Sequence, residues 1–251
     1  MTEANAASKK VLTLAKEKRS ERVSERKKRK STIYFIIAGI LVLALIIFLL
    51  TRGQSKSLIK PAATVKTKNQ AVELFNKGDF KKAIPQLKVY VDEHPDDTGA
   101  RTVLAQSYWL NGKNKEALAQ YLEIIKIKPN DADTLYRLGI LYGLLQQNNK
   151  AIGSLEKATK INPRLAVFQA ELAKAYARGG KYDLAIGRWN KAMALTPASN
   201  KSYRANVFAE IGNLYVVRKD KAKAKEAYQQ GLAIEPENTY LKSQLGKLGG
   251  K

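Results

Sequence analysis

Residues 105–129 read AQSYWLNGKNKEALAQYLEIIKIKP. Apolar residues recur at i, i+3, i+4 and i+7 on both sides of Gly112, which predicts two amphipathic helices joined by a tight turn. Gly112 falls in that turn, where positive φ is cheap for glycine. Pro129 ends the second helix, because it cannot continue the hydrogen-bond ladder. A lone hairpin of this size leaves its apolar side uncovered, so the stretch predicts neighbours of the same kind.

The neighbours are present. Five of the seven prolines stand at Pro95, Pro129, Pro163, Pro197 and Pro236, at intervals of 34, 34, 34 and 39. Twelve residues before each is an alanine (Ala83, Ala117, Ala151, Ala185, Ala224). Twenty-four before is a small residue: Ala71, Ala105, Gly139, Ala173, Gly212. Twenty-one before stand Leu74, Tyr108, Tyr142, Tyr176 and Tyr215, and eight before stand Leu87, Tyr121, Leu155, Trp189 and Tyr228. Small residues let paired helices approach, and the large ones fill the space between units. Gly78 and Gly180 fall in the same turn as Gly112.

This pattern resembles the tetratricopeptide repeat (TPR) family, over about residues 64–236. The resemblance implies an all-α, right-handed superhelical solenoid of about five helix-turn-helix repeats. Two departures stand out. ASNKS at 198–202 is extra, and is expected to lengthen the loop or first helix of the last repeat. Pro85 lies inside the second helix of the first repeat, where a local kink is expected. The tail holds too little for a sixth repeat, and Tyr240, Leu241 and Leu245 are expected on a short capping helix.

Upstream, KKRKSTIYFIIAGILVLALIIFLLTRG (27–53) runs from basic residues into an apolar stretch without charge or proline. Eighteen residues, Ile33–Leu50, reach about 27 Å as a helix, just enough for a hydrocarbon core of about 30 Å. The stretch is too long, and its basic lead too extended, for a cleaved leader, and LLTRGQS offers no small-x-small cleavage site. The predicted organisation is a basic cytoplasmic segment at 1–31, a transmembrane signal anchor at 32–51, a linker at 52–66, five repeats at 67–236, and a capping helix and tail at 237–251. Nine Lys/Arg in residues 16–30 against five in 51–68 place the N-terminus in the cytoplasm and the repeats outside it.

Composition narrows the chemistry. There is no cysteine and one histidine, His94, so nucleophile–base pairs have almost nothing to be built from. No phosphate-cradling loop or metal-ligand spacing is present. His94 among Asp92, Glu93, Asp96 and Asp97 is read as a solvated helix end rather than a cation site. The chain is expected to be no enzyme and to hold no cofactor. The formal net charge is +23: residues 1–31 carry eleven Lys/Arg against four Glu, and residues 52–251 carry thirty-four against eighteen acidic residues. Such a balance draws the protein toward anionic surfaces, with lipid headgroups as a further partner.

The TPR resemblance implies a protein or peptide ligand held on the concave surface by residues of the first helices. By register these include Phe75, Trp109, Tyr136, Ile140, Lys174, Arg178 and Asn213: an apolar, aromatic middle followed by a basic step. An apolar side chain would dock near Trp109 and an acidic group would meet Lys174 or Arg178; alternatively, Trp109 and Tyr136 pack between repeats. The carboxylate clamp of TPR co-chaperones is not assembled, since Lys68 occupies one clamp position but Val72 stands where its Asn partner belongs. The leading expectation is a membrane-anchored scaffold for envelope assembly, secretion or maturation, with the repeats extracytoplasmic. An organellar import-type receptor with cytosolic repeats is the alternative. A basic nucleic-acid binder is a second; with the basic residues spread over all repeats, no specific nucleic acid is expected.

Overall fold

The computed structural model describes residues 61–249. The apolar run at 32–51 and the basic segment before it lie outside the described residues, as does most of the predicted linker. Among the described residues no helix is long and apolar enough to cross a membrane.

The described residues form eleven helices and no strand. They alternate as first and second helices of five pairs: α1 (Pro61–Asn76) with α2 (Phe80–Glu93), α3 (Thr98–Leu110) with α4 (Asn114–Ile127), α5 (Ala132–Leu144) with α6 (Asn148–Ile161), α7 (Ala166–Arg178) with α8 (Tyr182–Ala194), and α9 (Lys201–Val217) with α10 (Lys221–Ile234). A last helix, α11 (Thr239–Gly249), follows. α2 runs through Pro85 as one element. The first helices α3, α5 and α7 have 13 residues and α9 has 17, so the extra ASNKS enters the helix as well as the loop before it.

Within each pair one contact recurs. The small residue of the first helix faces the large one of the second. A Cβ added to Gly139 would lie 2.4 Å from Leu155 Cγ, and one added to Gly212 would lie 2.2 Å from Tyr228 Cε1. The alanine twelve residues before each proline is fully buried in all five repeats. Successive pairs then share their apolar faces: Ala83 and Leu87 of α2 pack with Ala100 and Leu104 of α3, and Tyr121 and Ile124 of α4 with Leu138 and Leu141 of α5. At the C-terminal end Leu241 of α11 is fully buried beside Ala205, Ala209 and Tyr228, with Leu245 and Leu248 partly buried around it. This helix covers the apolar side that a further repeat would otherwise cover.

Every first helix ends in the same way. The amide of Gly78 donates to Phe75 O, and that of Asp79 to Leu74 O. The same two bonds recur at Gly112 and Lys113, Gln146 and Gln147, Gly180 and Lys181, and Lys219 and Asp220. This is a Schellman turn, which needs a left-handed residue just past the helix. φ is +78° at Gly78, +75° at Gly112 and +72° at Gly180, but also +59° at Gln146 and +62° at Lys219. Two repeats therefore carry a side chain where the backbone favours none.

The first repeat is tied to the second by a polar cluster. Lys68 Nζ donates to Asp97 Oδ2 at 2.7 Å, and the Tyr90 hydroxyl donates to the same oxygen at 3.1 Å. Asp97 Oδ1 caps α3 by accepting from the Ala100 amide at 2.8 Å. Partial burial alone would raise the Asp97 carboxyl, but Lys68, the Ala100 amide and the Tyr90 hydroxyl outweigh it and hold it at about 2.

Replacing Gln146 or Lys219 by glycine relieves a left-handed strain of ~1–2 kcal/mol at an unfolded-state entropy cost of ~0.4–1 kcal/mol. Each should therefore stabilise the fold by about 0.5–1 kcal/mol, read as a rise in the urea midpoint. A carboxylate depressed in the folded state contributes stability that is fully present above its unfolded value of about 4 and is lost as pH falls through its folded value. Asp97→Asn should thus melt below the parent at pH 7, with the gap closing as pH falls from about 4 to 2. A gap unchanged at pH 2 would show that the ion pair is not its source.

Candidate functional site

Side chains on the first helices that internal packing does not require are free to meet a ligand. Only some of the sequence-derived candidates are of that kind. Phe75 packs on the first cluster, its ring 5.7 Å from that of Phe80 across the α1–α2 turn. Trp109 is half-buried against the cluster holding Tyr121, Leu138 and Leu141. Tyr136 stacks on Phe168 of the next repeat, centroids 4.6 Å apart and planes 17° from parallel. Burial, and then the nearby Glu171 charge, push its hydroxyl pKa up. Both aromatics therefore serve inter-repeat packing, with part of each ring still accessible. Ile140 is half-buried.

The polar candidates divide in the same way. Asn213 Oδ1 accepts from two hydroxyls, Tyr228 at 2.9 Å and Tyr240 at 3.0 Å, and so links α9, α10 and α11. Arg178 is exposed, but its guanidinium folds back over Gly143 of the preceding repeat, where an added Cβ would lie 2.5 Å from Nη2. Lys174 is exposed and pairs with Glu171 one turn earlier at 2.7 Å. Lys68, the residue at the clamp position, is engaged by Asp97 and Tyr90.

The first-helix face has an open place between the fourth and fifth repeats. A cleft of about 300 Å³ lies between α7 and α9, lined by Val167, Ala170, Lys174, Trp189, Thr196 and Tyr203 among others. Val167 is half exposed, and Trp189 of α8 is almost wholly buried at the base. Burial raises the Tyr203 hydroxyl pKa; the Lys174 charge and Thr196 lower it, and the Glu171 charge adds to the rise. The lining is mainly apolar, its polar part made of the Lys174–Glu171 ion pair, Thr196, Asn200 and the buried Tyr203 hydroxyl, and its size suits a single large side chain. A second cleft, about 240 Å³, lies on the other side of α9, between it and helices α8 and α10. Both flank α9, the first helix within the long 39-residue interval.

Of the seven candidates, Lys174 alone lines the α7–α9 cleft. Val167, Ala170 and Tyr203 were not singled out from the sequence. The signal that could have found them was the irregular interval itself, because an extra stretch between repeats upsets the spacing of the helices on either side. Among the described residues no group of carboxylates and histidine is assembled for a metal ion. His94 instead packs against Tyr90, with ring centroids 4.4 Å apart and planes tilted by 36°.

Residues 70–204 match the family model described as the N-terminal TPR repeats region of Psidin, and residues 205–238 match a tetratricopeptide repeat model. No curated protein matches the chain. Among solved structures, a crystal structure of MamA superposes with a TM-score of 0.64 at 21% identity, covering 69% of this chain and 92% of that one. YrrB, described as a TPR protein with an unusual peptide-binding site, gives 0.64 at 18% identity, over 77% of this chain and 96% of its own. A MamA fragment from Desulfovibrio magneticus RS-1 gives 0.63 at 19%, over 70% and 97%. At these identities the likeness is one of fold. With one family model spanning more than half its length and a second completing the array, the chain belongs to the tetratricopeptide repeat family.

Proposed function

We propose that this protein is a single-pass membrane-anchored scaffold whose concave, first-helix surface holds a protein or peptide partner, in envelope assembly, secretion or maturation. The α7–α9 cleft carries the reading. It is an apolar recess on the face that TPR proteins use for ligands, with Lys174 at its rim, where an acidic neighbour of the docked side chain would compete with Glu171 for it. YrrB, of the same fold, has a peptide-binding site, which supports a ligand of that kind here. The anchor rests on residues 27–53, whose charge-free run and basic lead fit a signal anchor with the repeats outside the cytoplasm.

A photo-crosslinker at Lys174 in native membranes should capture a discrete partner. Val167→Arg, an exposed change at the cleft mouth, should abolish the capture. Loss with Trp109→Ala while Val167→Arg stays silent would move the anchor point to the middle repeats. Capture unaffected by either would overturn the concave-surface reading. Separately, the full-length chain should resist alkaline carbonate extraction and its repeats should be shielded from protease in intact cells. Release into the supernatant would remove the anchor, and cleavage in intact cells with retention in the pellet would reverse the orientation.

A further inference from the structure

The solenoid has two long edges, one formed by the turns within repeats and the other by the turns between them, and their charges differ. The within-repeat turns, taken from the last residue of each first helix to the third of the next, are 76–82, 110–116, 144–150, 178–184 and 217–223. Together they hold twelve Lys/Arg against four Asp/Glu, a net of +8. The between-repeat turns, taken likewise as 93–100, 127–134, 161–168, 194–203 and 234–241, hold three against seven, a net of −4.

Helix-end electrostatics do not require this asymmetry. Each within-repeat turn joins the C-terminus of one helix, which favours cations, to the N-terminus of the next, which favours anions. The between-repeat turns join the same two kinds of end. Three of the four acidic residues on the basic edge are already matched: Asp79 by Lys82, Asp183 by Arg218 and Asp220 by Lys223. Among the described residues the other cations of that edge have no carboxylate partner on it, although Lys77 pairs with Glu73 of α1 and Lys150 and Lys181 lie over the rings of Tyr142 and Tyr176.

The same turns present aliphatic side chains to solvent. Leu110 is 61% exposed, Leu144 55%, Leu184 52% and Val217 57%, one in each of the last four turns. Exposed Lys113, Lys150, Lys181 and Lys219 stand beside them. A row of aliphatic residues interleaved with lysines is the composition of an interfacial membrane-binding surface. Protein hot spots are built instead on Trp, Tyr and Arg, with Leu and Val under-represented, and lysine is depleted from protein interfaces.

We propose that the within-repeat edge docks on an anionic phospholipid surface, its Leu and Val side chains entering the headgroup boundary and its lysines meeting phosphate. The docking rests on the edge alone and not on the anchor at 32–51. The hydrophobic clusters described above lie within residues 71–248, so residues 61–251 serve as test material.

That fragment should sediment with vesicles of 30% phosphatidylglycerol in phosphatidylcholine and not with phosphatidylcholine alone, and 0.5 M salt should release it. Lys115→Glu with Lys221→Glu should weaken binding at least tenfold, since each basic residue near an anionic surface contributes on the order of fivefold. Both sites lie in the first turn of a helix, where glutamate is favourable, so the fold is kept. Leu110→Ser with Leu144→Ser should weaken binding by a similar factor, with unchanged helical circular dichroism. Sedimentation with neutral vesicles alone, no sedimentation with either, or binding unmoved by both variant pairs would overturn the proposal. So would binding of a soluble alternating Glu–Leu peptide by a fragment that ignores vesicles, an outcome that assigns the edge to an acidic protein segment.

Discussion

The fold depends on a distance between two helices. In every repeat a small residue on the first helix lets a large one on the second lie across it, and the gap leaves no room for a methyl group where the small residue is Gly139 or Gly212. This contact sets how near the two helices run. It also brings the buried alanines Ala83, Ala117, Ala151, Ala185 and Ala224 into place and leaves one apolar side per hairpin uncovered. The uncovered side can be satisfied only by another hairpin or by a cap. The array, its near-constant period and the final helix α11 all follow from that unmet need.

Much of this was legible because it repeats. Aligning five prolines exposes the small, aromatic and alanine positions at once, and each proves to sit where packing requires its size. What did not repeat was harder to see. The left-handed turn is announced by glycine at 78, 112 and 180, but Gln146 and Lys219 adopt it too, because two backbone hydrogen bonds and the packing of both helices outweigh the local preference. Asn213 sits in a ligand-facing position by register, yet its carbonyl oxygen binds two tyrosine hydroxyls from other helices. Helical periodicity places a residue on a face. It does not say which neighbour reaches that residue first.

The same distinction governs the aromatic candidates. Phe75, Trp109 and Tyr136 look alike as an apolar stripe along the first helices. In the fold Tyr136 is stacked on Phe168 and Trp109 leans on the cluster that its own repeat shares with the following one. A ligand that met them would touch ring edges rather than enter a recess. The recess lies further along, where Val167 and Ala170 of α7 face Tyr203 of α9.

In a solenoid whose internal contacts recur, selection for packing acts on every repeat alike. Features that occur once, or that break the period, therefore stand apart from what packing alone requires. By that criterion the junction of the fourth and fifth repeats ranks first. There the interval lengthens, α9 gains a turn over α3, α5 and α7, and clefts open on both of its sides. A longer helix cannot seat against its neighbours with the spacing of the shorter ones, so space is left between them. Small residues such as Ala170 and Ala166 then leave that space open instead of filling it. Had packing been the only demand at this junction, larger side chains at those two positions would have closed the cleft and buried more apolar surface, at about 25 cal/mol per Å².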